Sequence, residues 1–186
     1  MPNAIEMLRQ DHSKVKELFT KFEGAKDTQE IQRVVETALD ELEVHAALEE
    51  EIFYPAVREE ISEENKINEA EEEHHVVKLL ISELEGMRSS DDRYRAKFKV
   101  LAESVKHHIQ EEEGKMFPEI ERSLDFEELG EQMMERKQQL QEEIVSGTSA
   151  PKRTKRATGR SRPARGTQAR GSQSRTRKRK KTVRHR

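Results

Sequence analysis

The stretch His45-Ala46-Ala47-Leu48-Glu49, running on to Phe53-Tyr54-Pro55, returns 63 residues later as His108-Ile109-Gln110-Glu111-Glu112, running on to Phe117-Pro118. Its reading decides the fold. In the first copy His45 and Glu49 lie in phase with Ile31, Val35, Ala38 and Leu42 before them and Ile52 and Ala56 after them. In the second, Tyr94, Phe98, Leu101 and Val105 lead into His108 and Glu112, with Met116 slightly off the line. Apolar residues spaced alternately three and four apart mark the buried face of an α-helix. Each stretch therefore reads as an amphipathic helix whose inward stripe carries an imidazole and a carboxylate.

Two more such stripes precede them. The first is Ile5, Leu8, His12, Val15, Phe19 and Phe22; the third is Ile67, Ala70, His74, Val77, Ile81 and Leu84. His12, Val15, Lys16 and Leu18 recur as His74, Val77, Lys78 and Leu80 at an offset of 62. Helices one and two thus repeat as helices three and four. Successive side chains on a helix point about 100° apart, so the stripes select His74 over His75 and His108 over His107.

Short connections make consecutive helices antiparallel. The expected fold is all-α: an up-down-up-down four-helix bundle over residues 1–122 with an internal two-fold repeat. Asn3 is a candidate N-cap for a first helix ending near Glu23-Gly24, and Asp27 or Thr28 caps the second. Breaks are expected around Ser62 to Asn65 and Gly86 to Asp92. Pro55 and Pro118 should kink or end helices two and four, since proline removes a helical hydrogen bond. Residues 123–146 add a fifth helix on an imperfect stripe of Phe126, Leu129, Met133, Leu140 and Ile144.

Charge divides the chain near residue 150. Residues 151–186 hold 16 Lys and Arg and no acidic residue, leaving 19 basic against 38 acidic side chains in the first 150. The near-neutral total of −3 conceals both halves. Residues 147–186 are rich in Gly, Ser, Thr, Pro and Arg without apolar periodicity, a composition expected to be disordered. Such a tail can neutralise phosphates, but with no aromatic residue it has nothing to stack on bases. It is read either as a tether to nucleic acid, salt-sensitive and poor at reading sequence, or as an arm docking on the acidic body. The absence of cysteine excludes disulfides, thiolate zinc sites and cysteine nucleophiles. No apolar run reaches transmembrane length, so no membrane partner is expected and a cytoplasmic address is the default.

Four histidines and two glutamates on the buried stripes form a candidate metal site: His12, His45, Glu49, His74, His108 and Glu112. Residues four apart on a helix are neighbours about 6 Å apart, so each His-x3-Glu pair reaches one ion or two adjacent ions. Imidazole with carboxylate suits iron, manganese or zinc rather than copper(I) or iron–sulfur clusters. A buried unpaired carboxylate costs several kcal/mol, which a bound cation removes. His75, His107 and His185 are read as solvated or supporting residues, and Glu50, Glu71, Glu73, Glu111 and Glu113 as a wet acidic face.

These residues resemble the hemerythrin-like, HHE cation-binding family. The match runs over about residues 3–122 through Asp11-His12, the two His-x3-Glu segments with their Phe53-Tyr54-Pro55 and Phe117-Pro118 endings, and Glu73-His74. The resemblance implies a non-heme di-iron centre, with two Fe ions bridged by Glu49 and Glu112. It also implies an exchangeable position for dioxygen, peroxide or nitric oxide. Oxygen-carrying hemerythrins have a further histidine one turn after the third-helix ligand; here that position is Lys78, so reversible carriage does not carry over. Ferritin-like di-iron proteins need Glu-x-x-His on two helices, and Leu42 and Val105 stand where those glutamates would precede His45 and His108.

The expected function is to bind or sense oxygen, iron or related oxidants. Alternatives are an enzyme acting on peroxide or nitric oxide, and a nucleic-acid-associated protein held by its tail.

Overall fold

A computed structural model describes residues 3–58, 60, 65–121 and 125–147. Helix α1 spans Ala4–Gly24, and the Asn3 side chain accepts the Glu6 N–H at its start. The second helix begins as Thr28–Leu48, with the Asp27 carboxylate accepting from Gln29 N and Glu30 N. It passes through a π-helical turn, Glu49–Phe53, into a last α-helical turn, Tyr54–Val57; the whole is α2. Helix α3 is Asn65–Glu85. Helix α4 repeats α2: Tyr94–Glu111, a π turn Glu112–Met116, then Phe117–Ile120. Helix α5, Phe126–Ser146, is capped by Asp125 and ends at Gly147, whose φ of 69° is left-handed and costs glycine nothing.

The break expected at Gly86 to Asp92 is present. That at Ser62 to Asn65 falls largely outside the described residues, as does the basic segment after Gly147 and with it His185. Among the described residues there is no strand, and no helix long and apolar enough to cross a membrane.

Helix α1 packs on α2 and α3 on α4; α4 also meets α1 and α3 meets α2, closing a four-helix bundle. Helix α5 lies against α1 and α2. All six stripe positions on α1 and all six on α3 are buried.

The prolines act differently from expectation. Helical structure runs through both, on to Val57 and Ile120, because the backbone inserts a π turn just upstream. Tyr54 N bonds Glu49 O and Phe117 N bonds Glu112 O, each spanning five residues. Pro55 and Pro118 then sit in the first turn of a fresh α-helical segment, where a missing N–H breaks no helical bond. The extra residue advances the buried face by one: Phe53 and Val57 are fully buried, whereas Ile52 and Ala56 are only partly so. The same shift puts Met116 in the core.

Two apolar clusters result. One holds Phe19, Phe22, Phe98 and Leu101. The other holds Leu8, Phe53, Phe117 and the Met133 and Leu140 side chains of α5. Among the described residues, His12, His45, Glu49, His74, His108 and Glu112 are the buried polar or charged side chains, together with Asp11.

Candidate metal centre

Each helix of the bundle contributes to one compact polar layer. His12 comes from α1, His45 and Glu49 from α2, His74 from α3, and His108 and Glu112 from α4. None of the six exceeds 5 % exposure. The glutamates are the first residues of the two π turns, a helical irregularity that recurs at functional sites.

The histidines meet in pairs. His12 Nε2 is 3.2 Å from His45 Nε2, and His74 Nε2 is 3.1 Å from His108 Nε2. The glutamates join the pairs. Glu49 Oε2 is 3.2 Å from Nε2 of both His45 and His74, and Glu112 Oε2 is 3.3 Å from Nε2 of both His12 and His108. Ligand atoms of His12, His45, Glu49 and Glu112 lie within 4.8 Å of one another, as do those of Glu49, His74 and His108.

A ring of carboxylates surrounds the imidazoles. Glu113 Oε1 is 2.8 Å from His12 Nδ1, Glu50 Oε1 3.0 Å from His74 Nδ1, and Glu73 Oε2 2.8 Å from His108 Nδ1. Asp11 faces His45 Nδ1 at 4.0 Å, too far for a hydrogen bond, and is held instead by Lys137 of α5. Lys16 and Lys78 in turn donate to Glu113 and Glu50. These residues obey the repeat: Asp11 matches Glu73, Glu50 matches Glu113, and Lys16 matches Lys78. The wet acidic face read from the sequence therefore needs correcting. Glu50, Glu73 and Glu113 orient the histidines, whereas Glu71 pairs with Arg58 and Glu111 with Lys115. The repeat offsets contained the signal, since each of these carboxylates has an acidic twin beside a candidate ligand. His107 is exposed, its Nε2 3.7 Å from Glu73, and His75 is exposed on α3.

In the contacts of the two glutamates the repeat breaks at Tyr54. Tyr54, fully buried, donates its hydroxyl to Glu112 Oε1 at 2.9 Å. Its twin is Phe117, which has no donor, and both oxygens of Glu49 are buried without a hydrogen-bond partner among the described residues.

The donor set fits a cation on physical grounds. Carboxylates at Nδ1 of His12, His74 and His108 assign the ring proton to that atom and leave Nε2 a lone pair aimed inward. Lone pairs and carboxylate oxygens thus converge with few hydrogens between them. Two donors each about 2.1 Å from one ion, at right angles, stand roughly 3 Å apart, the spacing seen within each pair. Without a cation the layer must hold protons instead. Burial disfavours the His45 imidazolium, but Glu49 and the nearby acids outweigh it and push its pKa up to about 10. His74 and His108 are likewise raised against burial, chiefly by Glu49 and Glu112 respectively. Burial opposes ionisation of Glu112, yet the facing His108 and His12 hold it well below the usual carboxylate range.

On the side of the histidines facing the Phe98 cluster lies a cavity of about 20 Å³, walled by the four imidazoles and by Val15, Leu42, Val77 and Val105.

Residues 3–120 match the profile described as the hemerythrin HHE cation binding domain. The chain is 31% identical over 126 residues to a DNA nickase of Nostoc sp., covering 68% of this chain and 36% of that protein. It is 27% identical over 130 residues to an uncharacterized hemerythrin-like protein of Schizosaccharomyces pombe, covering 69% of this chain and 64% of that one. It therefore spans less than two thirds of either relative. The crystal structure of a hemerythrin HHE cation binding domain-containing protein from Mycobacterium kansasii superposes with a TM-score of 0.68 at 29% identity, covering 78% of this chain and 91% of that one.

Proposed function

The chain belongs to the hemerythrin HHE cation-binding domain family, and from that premise we propose that it is a cytoplasmic non-heme di-iron protein that binds or senses dioxygen, iron or related oxidants. In this reading residues 1–122 are the metal domain, 123–146 a helix that covers it, and 147–186 a basic arm. His12, His45, Glu49, His74, His108 and Glu112 would hold the ions, Glu49 and Glu112 each facing a histidine of both pairs. The bound pair would supply an open, redox-active position for a small ligand.

The observation that carries the proposal is the sharing of each carboxylate oxygen by histidines from both pairs. A single-ion site needs no such bridge. The chain's own residues do the rest. Glu50, Glu73 and Glu113 fix the imidazole rings, and Tyr54 holds one oxygen of Glu112. The cavity beside the histidines has room for about one water-sized molecule. Apart from the imidazoles its walls are apolar, which favours a small neutral ligand such as a diatomic gas or peroxide over any larger substrate.

Metal analysis and a visible spectrum of aerobically purified protein test the reading. About two irons per chain with oxo-bridged absorption are expected; a metal-free, colourless protein that takes up no iron on reconstitution rejects it. Steady-state turnover of peroxide or nitric oxide by the loaded protein would make it an enzyme, and stoichiometric binding without turnover a sensor or buffer.

A second reading adds a nucleic-acid tether. The 16 positive charges of residues 151–186 favour phosphate contacts, and one relative is called a DNA nickase. Deleting residues 151–186 should abolish low-salt nucleic-acid affinity; unchanged affinity rejects the tether.

A further inference from the structure

The two halves of the bundle repeat the centre but not what covers it. Beside His45 and Glu49 the crevice between α1 and α2 is sealed: Ala4, Leu8 and Leu48 are buried in one apolar cluster with Met133 and Leu140 of α5, and Met7 and Ile52 pack against it. Beside His108 and Glu112 no helix among the described residues takes the place of α5. The sequence changes to suit. At the repeat-related positions Ala4 gives way to Lys66, Met7 to Glu69, Leu48 to Glu111 and Ile52 to Lys115, while Leu8 shrinks to Ala70.

A cavity of about 30 Å³ lies there, bounded by these residues and reaching Glu73, His108 and Glu112. At its inner end is Glu112, only 1 % exposed, with Oε2 lacking a hydrogen-bond partner. At its outer end Glu69 is exposed. Lys66 is bonded to Glu119 at 2.6 Å and Lys115 to Glu111, which leaves Glu69 at the mouth as the carboxylate these lysines do not neutralise, with Glu73, held by His108 Nδ1, next along the path.

We propose that this crevice between α3 and α4 is the route by which divalent cations pass between solvent and the buried centre, drawn in by Glu69 and handed inward through Glu73. The inference rests on the metal-binding reading above. A cation crossing the sealed α1–α2 side would shed its hydration against Leu and Met side chains with nothing to replace it. On the α3–α4 side carboxylate oxygens replace water in stages, the ligand type that hard and borderline cations accept. The rim side chains Glu69 and Lys115 are long and exposed, and such groups reorient within nanoseconds. The small cavity by Val15 and Val77 offers a cation no oxygen.

The test uses the full chain, metal-free, at physiological salt. Uptake of Co²⁺ is followed by stopped-flow absorbance, release by chelator chase, and affinity by chelator competition. For Glu69→Lys, uptake should slow about tenfold or more, the size of an electrostatic steering effect. Release should slow as well, so that affinity falls by less than about threefold. Glu135→Lys makes the same charge change on the exposed face of α5, and its uptake should stay within about twofold of wild type.

Unchanged uptake in Glu69→Lys overturns the route. So does a Glu135→Lys chain slowed as much, or an affinity that falls in step with uptake while release is unchanged. All three leave the metal reading standing. A wild-type chain that binds no divalent cation defeats that reading and the route together.

Discussion

Glu49 on α2 and His74 on α3 meet at 3.2 Å, Oε2 to Nε2, while the same oxygen stands 3.2 Å from His45 on its own helix. One carboxylate thereby ties the histidine pair of the first half to that of the second. Glu49→Gln keeps the shape and removes the charge. Bound metal should fall from about two ions per chain to one or fewer, and most of the metal-dependent stabilisation should go with it. That stabilisation is about 2.7 kcal/mol for each occupied site when free metal is a hundred times its Kd. Elemental analysis with thermal melts, with and without added Fe²⁺, measures both.

The carboxylates at Nδ1 should tune affinity without deciding whether the chain folds. Replacing such a supporting partner typically costs 10–100-fold in metal affinity. Glu50→Gln and Glu113→Gln should each weaken binding by about that factor, read by chelator competition. Glu71→Gln, whose carboxylate pairs with Arg58 near the surface, should leave affinity unchanged.

Tyr54→Phe would make the two halves match, since Phe117 occupies the twin position. It leaves buried Glu112 Oε1 without its donor. An orphaned buried acceptor costs about 1–3 kcal/mol, so the metal-free chain should lose about that much stability, read as a lower urea midpoint. The far-UV spectrum should be unchanged.

Glu43 supplies a pH dependence. Burial, with Glu85 and Asp40 adding repulsion, pushes its carboxyl up from 4.5 to about 7. The folded state therefore takes up a proton between pH 4.5 and 7 that the unfolded chain does not hold. Stability from this group is highest below that window and declines as pH rises through it. Glu43→Gln should thus melt higher than wild type at pH 8, by about 1–2 kcal/mol after solvent screening, and about equally at pH 4. Parallel melts of the metal-free proteins check the sign.

The helices were legible because periodicity is a local property. Asn3 and Asp27 cap where their side chains predict, and the α1 and α3 stripes are buried position for position. The π turns were not legible. Apart from Gly114, nothing in Glu49–Phe53 or Glu112–Met116 differs in composition from an α-helical turn, so a stripe drawn through Ile52 and Ala56 runs one residue out of phase. Met116 lying off its stripe was the trace of that extra residue.

The sequence by itself determined that six polar side chains would face the inside of a helical bundle, and that they come in two related sets. It could do so because three- and four-residue spacing on one helix fixes which side a residue occupies. Only the tertiary structure decided which carboxylate meets which histidine, that Lys78 reaches Glu50 rather than the centre, and that α5 seals one crevice and leaves its twin open. Those are contacts between residues dozens of positions apart, set by how whole helices pack, and no periodicity along a single helix encodes them.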